Sequence, residues 1–464
     1  MFVAGIGNKT RYDMKRILRL LTATVPALFI GAAATGQTRT WTLQDCIDYA
    51  IDNNISLRQS RNSFLSGLED TYQAKAAMLP TVSASSSQGV SNRPFSDTGT
   101  SSVVGSNVFS TSKSTSYSGN YGVNAGITLW NGGSLRTALK QQMVQNSIDS
   151  LSVEETTNDV VISIVQAYLN CLYAKEALSV SESNAEASGM ALDRAVEMKN
   201  AGEMSKVDVA QLESQHASDV YQITSSEVNL ANSLLQLKQL LELGISEDIE
   251  LVAPEDDESY VLKLLPAKED VYREALDAMP EIKKAGLSVE AAELSVKQAK
   301  SGALPSLSAN AGISTTSVSG TGNSFASQLE KNFNESIGLS LSVPILQGRR
   351  NKTSVNKAKI AADNSRLQRL SAEKTLLKEV EDAYLSAVSS QSQYISAKEQ
   401  EKYAAQSYEY TSEAFKVGKK NTVELINAQN SLLSAQVSLL QAKYNAILGN
   451  ILLDIYQGNY NINR

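Results

Sequence analysis

The chain has 464 residues, of which 20% are charged and 6% are aromatic, with only eight prolines. A chain of this length exceeds one ordinary core, and its composition favours a long, helix-rich assembly. The formal net charge is −7; because residues 1–34 hold five basic side chains and one acidic one, the remainder carries −11. With no basic stripe in that remainder, we expect no nucleic acid among the partners.

The N-terminus has the layout of a secretory signal peptide. Met14-Lys15-Arg16 is followed by an apolar run from Leu20 to Ala34 and then by small residues. Residues 1–36 are therefore interpreted as an upstream extension and a signal peptide, with cleavage after Ala34 or Gly36. An N-terminal membrane anchor is the alternative. The rest of the sequence contains no apolar run of about 18 residues.

The sequence contains an internal duplication. Ala167-Tyr168-Leu169 aligns with Ala383-Tyr384-Leu385 at a shift of 216, and the Leu-Pro pairs ending at Pro80 and Pro305 align at a shift of 225. The two shifts indicate that the halves differ in the length of one loop. Further pairs share the shift of 216: Gly132 with Gly348, Gly202 with Gly418, and Val207-Asp208 with Val423-Glu424. We therefore interpret the chain as a tandem repeat.

Each half predicts the same order of elements. A first helix covers residues 43–78, or 268–303, and ends at its Leu-Pro because proline cannot continue a helix. Two strands follow, then a helix of about 68 residues, near 100 Å long, then a glycine-containing tip and a last helix. The predicted divisions are a first repeat at 37–243 with its tip at 200–206, an acidic linker at 244–267, a second repeat at 268–457 with its tip at 416–422, and a tail at 458–464.

Alternation of side chains predicts the strands. From Tyr117 to Leu129, apolar, aromatic or small residues fall on one face and Ser, Asn, Gly and Thr on the other; residues 333–345 repeat the pattern. A partner strand precedes each. The predicted strands cover about 81–91, 117–130, 306–316 and 333–346. Strands that are apolar outward and polar inward, joined by long polar loops, are typical of outer-membrane barrels; a soluble sandwich is the alternative.

Four strands cannot close a barrel, and an open sheet edge cannot face lipid. Several chains are therefore expected to share one barrel, and three of them would supply 12 strands and 12 helical tracks. Two interpretations from other classes stay open. One is a periplasmic or surface coiled-coil structural protein, and the other is a self-sufficient diffusion porin.

The order of the turns and tips resembles the TolC-like outer membrane efflux protein family. The resemblance is carried by Leu129-Trp130-Asn131-Gly132-Gly133, Pro344-Ile345-Leu346-Gln347-Gly348 and the tip segments 201–209 and 417–425, and it covers about residues 41–457. It implies a fold that is mainly α with a small β part. Duplicated helix–strand–strand–helix–helix protomers would form a trimeric α-helical barrel and a 12-stranded outer-membrane β-barrel.

The same resemblance implies a function and partners. The protein would be a homotrimeric exit duct of a tripartite efflux or type I secretion system. It would lie in the outer membrane, in contact with lipid, and extend into the periplasm. There its tips would meet a periplasmic adaptor (membrane fusion) protein and an inner-membrane pump of RND or ABC type. The exposed tip turns would face the adaptor: Ala201, Gly202, Glu203, Val417, Gly418 and Lys419.

The resemblance also implies a gate at the second tip. Glu424 matches the acidic ring of relatives, and Asn427 stands where relatives have a second acid. Lys420 matches a basic residue that tethers the closed tip, with Asp208 as its acidic partner. Three copies of Glu424 around a narrow axis would repel one another, raise their pKa values and attract cations. The alternative for these charged residues is simple solvation at helix ends.

Several single residues carry further expectations. A tight turn between helices requires a positive φ, so Gly202 and Gly418 are expected at such turns. Cys46 and Cys171 are expected at one level of the helices, where either a disulfide or two buried thiols fits. The only histidine, His216, is expected on the surface. No catalytic motif occurs, so we expect no enzyme, no cofactor and no metal site.

Overall fold

The computed structural model describes residues 39–92, 100–104, 107–111, 115–244, 247–253 and 257–459. The predicted signal peptide at 1–36 and the predicted tail from residue 460 onward lie outside these ranges. The described chain is mainly helical, and ten helices lie in the described ranges. They are α1 (Leu43–Asn53), α2 (Ile55–Ala76), α3 (Ser134–Asn200), α4 (Lys206–Leu240), α5 (Asp257–Val261), α6 (Lys268–Ala278), α7 (Pro280–Ser301), α8 (Phe325–Lys331), α9 (Arg350–Lys416) and α10 (Thr422–Tyr456).

The described strands form three sheets, one with four strands and two with two strands each. They are β1 (Arg39–Trp41), β2 (Thr81–Asn92), β3 (Thr100–Val104), β4 (Asn107–Thr111), β5 (Thr115–Asn131), β6 (Ile249–Leu251), β7 (Ser306–Val318) and β8 (Asn334–Ser342). The main sheet has the order β2-β5-β7-β8 and is antiparallel throughout. β3 pairs with β4, and β1 pairs with β6.

The chain divides into two units. The smaller unit comprises residues up to Thr40 and Asp248–Glu250, and its described strand residues belong to β1 and β6. The larger unit comprises Trp41–Glu247 and the chain from Leu251 onward, and it contains every described helix and the main sheet.

The helices of the two halves have equal lengths. α1 and α6 have 11 residues each, α2 and α7 have 22, α3 and α9 have 67, and α4 and α10 have 35. The first two pairs are offset by 225 residues and the last two by 216, which are the shifts found in the sequence. Both halves therefore build the same helices, and each long helix extends for about 100 Å at 1.5 Å per residue.

The first helix predicted in each half is interrupted. Asn54 separates α1 from α2: its Oδ1 accepts from the Leu57 N–H (3.2 Å), and its Nδ2 donates to the Leu240 carbonyl (3.2 Å). In the second half, Pro280 is the first residue of α7. The continuous helices predicted over 43–78 and 268–303 are therefore wrong at these points. A capping asparagine and a proline each favour the start of a new helix.

The connections between the strands also differ from the prediction. The polar stretch between β2 and β5 contains the β3–β4 hairpin, and the stretch between β7 and β8 contains α8. β8 ends at Ser342, although the alternating pattern predicts a strand to residue 346. Pro344 explains the early end, because it has no N–H to donate to a neighbouring strand.

The main sheet has one apolar and one small polar face. Directly paired residues of antiparallel strands lie on the same face, so the registers define rows across the four strands. One row is Val82, Ala125, Ala311 and Ile337. The adjacent row on the other face is Ser83, Asn124, Gly312 and Ser336. The apolar face is exposed in the single chain, where Ile337 is 89% and Val82 is 69% accessible to solvent.

The two long helices, α3 and α9, each pack against several of the other helices. α3 packs against α2, α4, α7 and α10, whereas α9 packs against α6, α7 and α10. α7 and α10 therefore lie between the two long helices, and α2 and α4 lie beyond α3. One part of the core joins α6, α9 and α10 through Val271, Ala275, Leu376, Val380 and Leu453, all at most 1% exposed.

Two remaining expectations concern the cysteines and the histidine. Cys46 and Cys171 are both buried and are not joined by a disulfide, so the structure has the two buried thiols of the alternative. Burial raises the pKa of the Cys171 thiol to about 12. The expected surface residue His216 is half-buried. Its Nδ1 lies 3.1 Å from the Ser188 Oγ. The described part of the acidic linker is bonded to the helices through Lys263, whose Nζ donates to Asp454 (2.6 Å).

Two helical glycines allow a test of the packing. A Cβ on Gly449 of α10 would lie 2.9 Å from the Ala387 Cα of α9, whereas a Cβ on Gly286 of α7 would meet nothing within 4 Å. Gly449→Ala is therefore expected to destabilise the fold by about 1–3 kcal/mol through overpacking. Gly286→Ala, the matched control, is expected to stabilise it by about 0.5–1 kcal/mol through lower backbone entropy. Chemical denaturation in detergent measures both, and equal shifts would contradict the close approach of α9 and α10.

Candidate functional site

Two equivalent turns connect the long helices to the helices that follow them. At the first tip, between α3 and α4, Gly202 has φ 84°, and at the second, between α9 and α10, Gly418 has φ 71°. The prediction of positive φ at both glycines is therefore confirmed. Each turn closes with two backbone hydrogen bonds: Gly202 N–H to Lys199 O (3.0 Å), Glu203 N–H to Met198 O (2.9 Å), Gly418 N–H to Phe415 O (2.9 Å) and Lys419 N–H to Ala414 O (2.8 Å). This is the Schellman pattern of helix ends.

The helix after each turn begins with a side-chain cap. The Ser205 Oγ accepts from the Asp208 N–H (3.1 Å) and donates to its Oδ2 (2.7 Å). The Asn421 Oδ1 accepts from the Glu424 N–H (2.8 Å), and the Asn421 N–H donates to Glu424 Oε2 (3.1 Å). Asp208 and Glu424 thus occupy the same position in the two repeats. Both stabilise the first turn of a helix.

The charged residues at the second tip pair differently from the expectation. Lys420 donates to Glu424, one turn further along the chain, and not to Asp208. Both partners are exposed to solvent in part. The hydrogen bond from Lys420, followed by the one from the Asn421 N–H, lowers the pKa of Glu424. A ring of three carboxylates would raise the pKa of Glu424. In the single chain the nearby positive charge of Lys420 lowers it instead.

The other expected tip residues lie on the surface. Asn427 is exposed, and its carbonyl accepts from the Ser431 Oγ (2.8 Å). The six turn residues expected to face an adaptor are also all exposed: Ala201, Gly202, Glu203, Val417, Gly418 and Lys419. Each of the two turns is therefore a blunt helix end, at which the glycine has no side chain.

An apolar cluster next to the turns joins the two hairpins, and the sequence analysis did not identify it. It contains one or two residues from each of α3, α4, α9 and α10, all at most 3% exposed. They are Ala195, Val209, Leu212, Phe415 and Leu425. Apolar residues shortly before and after each glycine turn were the available signal, but their partners across the hairpins could not be assigned without the structure.

A buried polar network lies further from the tips. Asp219 of α4 is 4% exposed and Gln429 of α10 is 3% exposed. The Gln429 Nε2 donates to Asn184 of α3, at its carbonyl O (3.0 Å) and Oδ1 (2.9 Å), and lies 3.4 Å from Asp219 Oδ2. The Gln215 Nε2 donates to Asp219 Oδ1 (2.9 Å). These bonds satisfy a carboxylate that would be costly to bury alone, and they hold α10 against the first hairpin.

The described residues carry two further findings. No helix among them is both long and apolar enough to cross a membrane. No group of three or more His, Cys, Asp or Glu side chains in the described ranges is arranged to hold a metal ion.

Comparison with known proteins identifies the family of this chain. The family model of the outer membrane efflux protein matches residues 46–242 and 271–453, which include nearly all of both helical repeats. The chain belongs to the outer membrane efflux protein family. The predicted resemblance to TolC-like efflux proteins is thereby confirmed. As a member, the protein is an outer-membrane protein that extends into the periplasm. The family itself is one of outer-membrane channels and not of enzymes.

Curated relatives agree with this assignment. The outer membrane protein TolC of Escherichia coli (strain K12) is 26% identical over 331 residues, which are 70% of this chain and 66% of that protein. TolC of Salmonella enteritidis is 25% identical over 68% of this chain and 64% of its own. The chain thus spans slightly less than two thirds of these two relatives. The efflux protein BepC of Brucella suis biovar 1 (strain 1330) is 21% identical over 96% of this chain and 91% of that protein.

Solved structures share the fold. CusC superimposes with a TM-score of 0.76 at 18% identity, covering 89% of this chain and 91% of CusC. VceC of Vibrio cholerae superimposes with a TM-score of 0.73 at 16% identity, covering 90% of this chain and 96% of VceC. The mainly helical fold with a small sheet is therefore that of TolC-family channels.

The glycine turns offer a direct test of the tip geometry. No atom lies within 4 Å of a Cβ placed on Gly418, so only its φ of 71° opposes a side chain there. Gly418→Ala is expected to destabilise the turn by about 1 kcal/mol, and Gly418→Asn by clearly less, because asparagine tolerates the left-handed region. Amide hydrogen exchange at residues 415–422 measures the difference. Equal exchange in the two variants would contradict the turn.

Proposed function

We propose that three copies of this chain assemble into the exit duct of a tripartite efflux or type I secretion system, gated at its helical tips. The observation that carries the proposal is a difference between the two repeats. Apolar positions that are buried inside the chain in one repeat are exposed at the edges of the chain in the other. These edges are complementary, and a second copy would cover them.

The long helices give the clearest comparison. α3 lies between neighbours on both sides, whereas α9 forms one edge of the helical layer. Residues 216 positions apart have very different exposure: Val161 1% and Leu377 37%, Leu169 3% and Leu385 63%, Leu172 2% and Val388 40%. Exposed apolar stripes of this kind mark a contact with another helix.

The opposite edge, formed by α2 and α4, has the same property. Tyr444 and Ile451 of α10 are buried, at 4% and 6% exposure. Their counterparts in α4, Val228 and Leu235, are 54% and 50% exposed. α10 packs between α3 and α9 inside the chain, so α4 of one copy is expected to pack against α9 of the next in the same way. The internal contact is thus a template for the contact between copies.

The main sheet supports the same assembly. β2 and β8 each have one strand partner among the described residues, so both edges of the four-stranded sheet are open. In lipid an open edge leaves unsatisfied N–H and C=O groups, which a closed barrel avoids. Three sheets joined edge to edge would give a barrel of 12 strands, its exposed apolar face toward lipid and its Ser, Asn and Gly face toward water.

The partners follow from the same arrangement. With the sheet in the outer membrane, the helices extend into the periplasm, and the two blunt turns at Gly202 and Gly418 lie at the far end. We propose that these turns meet a periplasmic adaptor protein and, through it, an inner-membrane pump of RND or ABC type. The exported compound is selected by the pump, so the duct itself assigns no substrate.

The gate belongs to this proposal. Three copies of Glu424 would form an acidic ring near the axis, with Asn427 one turn further along α10. Lys420, bonded to Glu424 in the single chain, would offset part of that charge. Pairing of Lys420 with Asp208 is proposed only between neighbouring copies. The Phe415 and Gln429 contacts between hairpins would favour the closed tip, because each would have to separate if the second hairpin moved away from the first.

Subunit assembly is tested by a charge at the proposed contact. Leu385→Asp would bury a carboxylate between copies and remove about 1.5–3 kcal/mol of apolar burial per contact, so we expect monomers. Leu264→Asp, at a linker position that is 93% exposed, is the matched control and should remain trimeric. Light scattering in detergent and heat-modifiable migration on gels report the state. A trimeric Leu385→Asp variant, or a soluble wild-type monomer, would contradict the proposed ring.

The gate is tested by conductance in planar bilayers. Lys420→Ala is expected to raise a low basal conductance. Glu424→Gln is expected to reduce cation selectivity without loss of stability, since glutamine also serves in a capping box. Glu424→Ala removes the charge and also the acceptor of the Asn421 N–H, so it should in addition lower stability, because only the Asn421 half of the capping box remains. Steady high conductance of the wild type would indicate a diffusion porin. Unchanged currents in all three variants would exclude these residues from the gate.

A further inference from the structure

Four carboxyl groups from three helices line one cavity of the larger unit. Glu155 and Asp159 lie on α3, Glu281 on α7 and Glu379 on α9, around a volume of about 460 Å³. Tyr456, the last residue of α10, lines it as well. Both α7 and α10 pack between α3 and α9. Because α7 begins and α10 ends at this level, the cavity lies at the joint between these two helices.

Positive charge at this joint is scarce. Lys284 of α7 forms an ion pair with Glu155, and the charge of Lys378 on α9 acts on Glu379. The C-terminal end of α10 contributes partial negative charge. Two further charged groups on the adjacent turns are bonded elsewhere: the Lys283 Nζ donates to the Ala278 carbonyl (3.2 Å), and Asp454 pairs with Lys263 (2.6 Å).

These surroundings raise the pKa of three carboxyl groups. Loss of hydration is the largest cause for Asp159, Glu281 and Glu379, and neighbouring carboxylates add to it in each case. Loss of hydration and then the same three carboxylates raise the pKa of Tyr456 to about 12. Asp159 and Glu379 keep contact with solvent, so protons can exchange freely with the cavity.

The other repeat has a hydroxyl group at each equivalent position. Ser371 corresponds to Glu155, Thr375 to Asp159, Ser56 to Glu281 and Ser163 to Glu379. The same helices, of the same lengths, therefore form without carboxylates at these positions. Packing alone does not require four acids at this joint.

We propose that three of these carboxyl groups, those of Asp159, Glu281 and Glu379, make the joint between α7 and α10 a proton-dependent hinge. At acidic pH, protonated carboxyls can donate hydrogen bonds to their neighbours, and α3, α7 and α9 close around the cavity. As the pH rises, each lost proton adds a negative charge, and repulsion between the helices loosens the joint. This inference concerns the single chain and does not depend on the proposed duct.

The sign follows from proton binding. The folded chain holds protons above the ordinary pKa values of 3.8 for Asp159 and 4.5 for Glu281 and Glu379, where the unfolded chain has released them. The stabilising contribution of the protonated groups is therefore present at low pH. It is lost as the pH rises through the raised pKa values.

Hydrogen exchange in the full-length protein tests the hinge. The variant Asp159→Asn/Glu281→Gln/Glu379→Gln keeps shape and hydrogen bonding but cannot ionise. Amides at 283–287 and 452–456 are compared in wild type and variant at about pH 5 and about pH 7.5, so that intrinsic exchange rates cancel at each pH. We expect the wild type to exchange about threefold to tenfold faster than the variant at the higher pH, and this ratio to fall toward one at the lower pH.

Controls separate the hinge from general charge effects. Glu290→Gln removes an exposed carboxylate of α7 that does not line the cavity, and it should match the wild type at both pH values. If the amide variant does not fold, the hydroxyl set of the other repeat (E155S, D159T, E281S and E379S) replaces it. A wild-type-to-variant ratio that is the same at both pH values would overturn the hinge, whether or not the protein conducts ions.

Discussion

The structure depends on one constraint, which is that apolar helix faces and open sheet edges must be covered. The duplicated chain meets this constraint internally, where α3 packs between neighbours on both sides. At its two ends the same faces remain exposed, as the contrast between Leu169 at 3% and Leu385 at 63% demonstrates. A repeat that stacks on itself inside the chain can stack on a second copy by the same contacts. The proposed ring would therefore require no contact of a kind that is absent from the single chain.

The tips combine two kinds of stabilisation with different consequences. The turns at Gly202 and Gly418 are held by backbone bonds and caps that lie within each hairpin. The hairpins are held to each other by the cluster around Phe415 and by the network around Gln429. Motion of one hairpin relative to the other therefore leaves the turns intact. A gate built this way would move rigid hairpins and would not unfold them.

At the acidic joint the two repeats differ in side-chain chemistry while their helices have the same lengths. Ser371 and Thr375 stand where the first repeat has Glu155 and Asp159, although the helices have the same lengths. Duplication therefore supplied a scaffold that tolerates either set of side chains. In the proposed hinge, the carboxylates would add dependence on protons at a point where helices end and backbone groups lack intrahelical partners.

The sequence by itself determined the duplication, the element order and the positive φ at the tip glycines, because these follow from periodicity, proline and glycine, which act locally. It also carried the family assignment. Proline also accounts for the helix start at Pro280 and for the early end of β8 before Pro344, which periodicity and repeat spacing did not indicate. Tertiary structure alone decided the bond from Asn54 to Leu240, the pairing of Lys420 with Glu424 and the burial of the Cys171 thiol without a disulfide. Each of these depends on which groups compete for the same partner in space. Spacing along the chain does not contain that information.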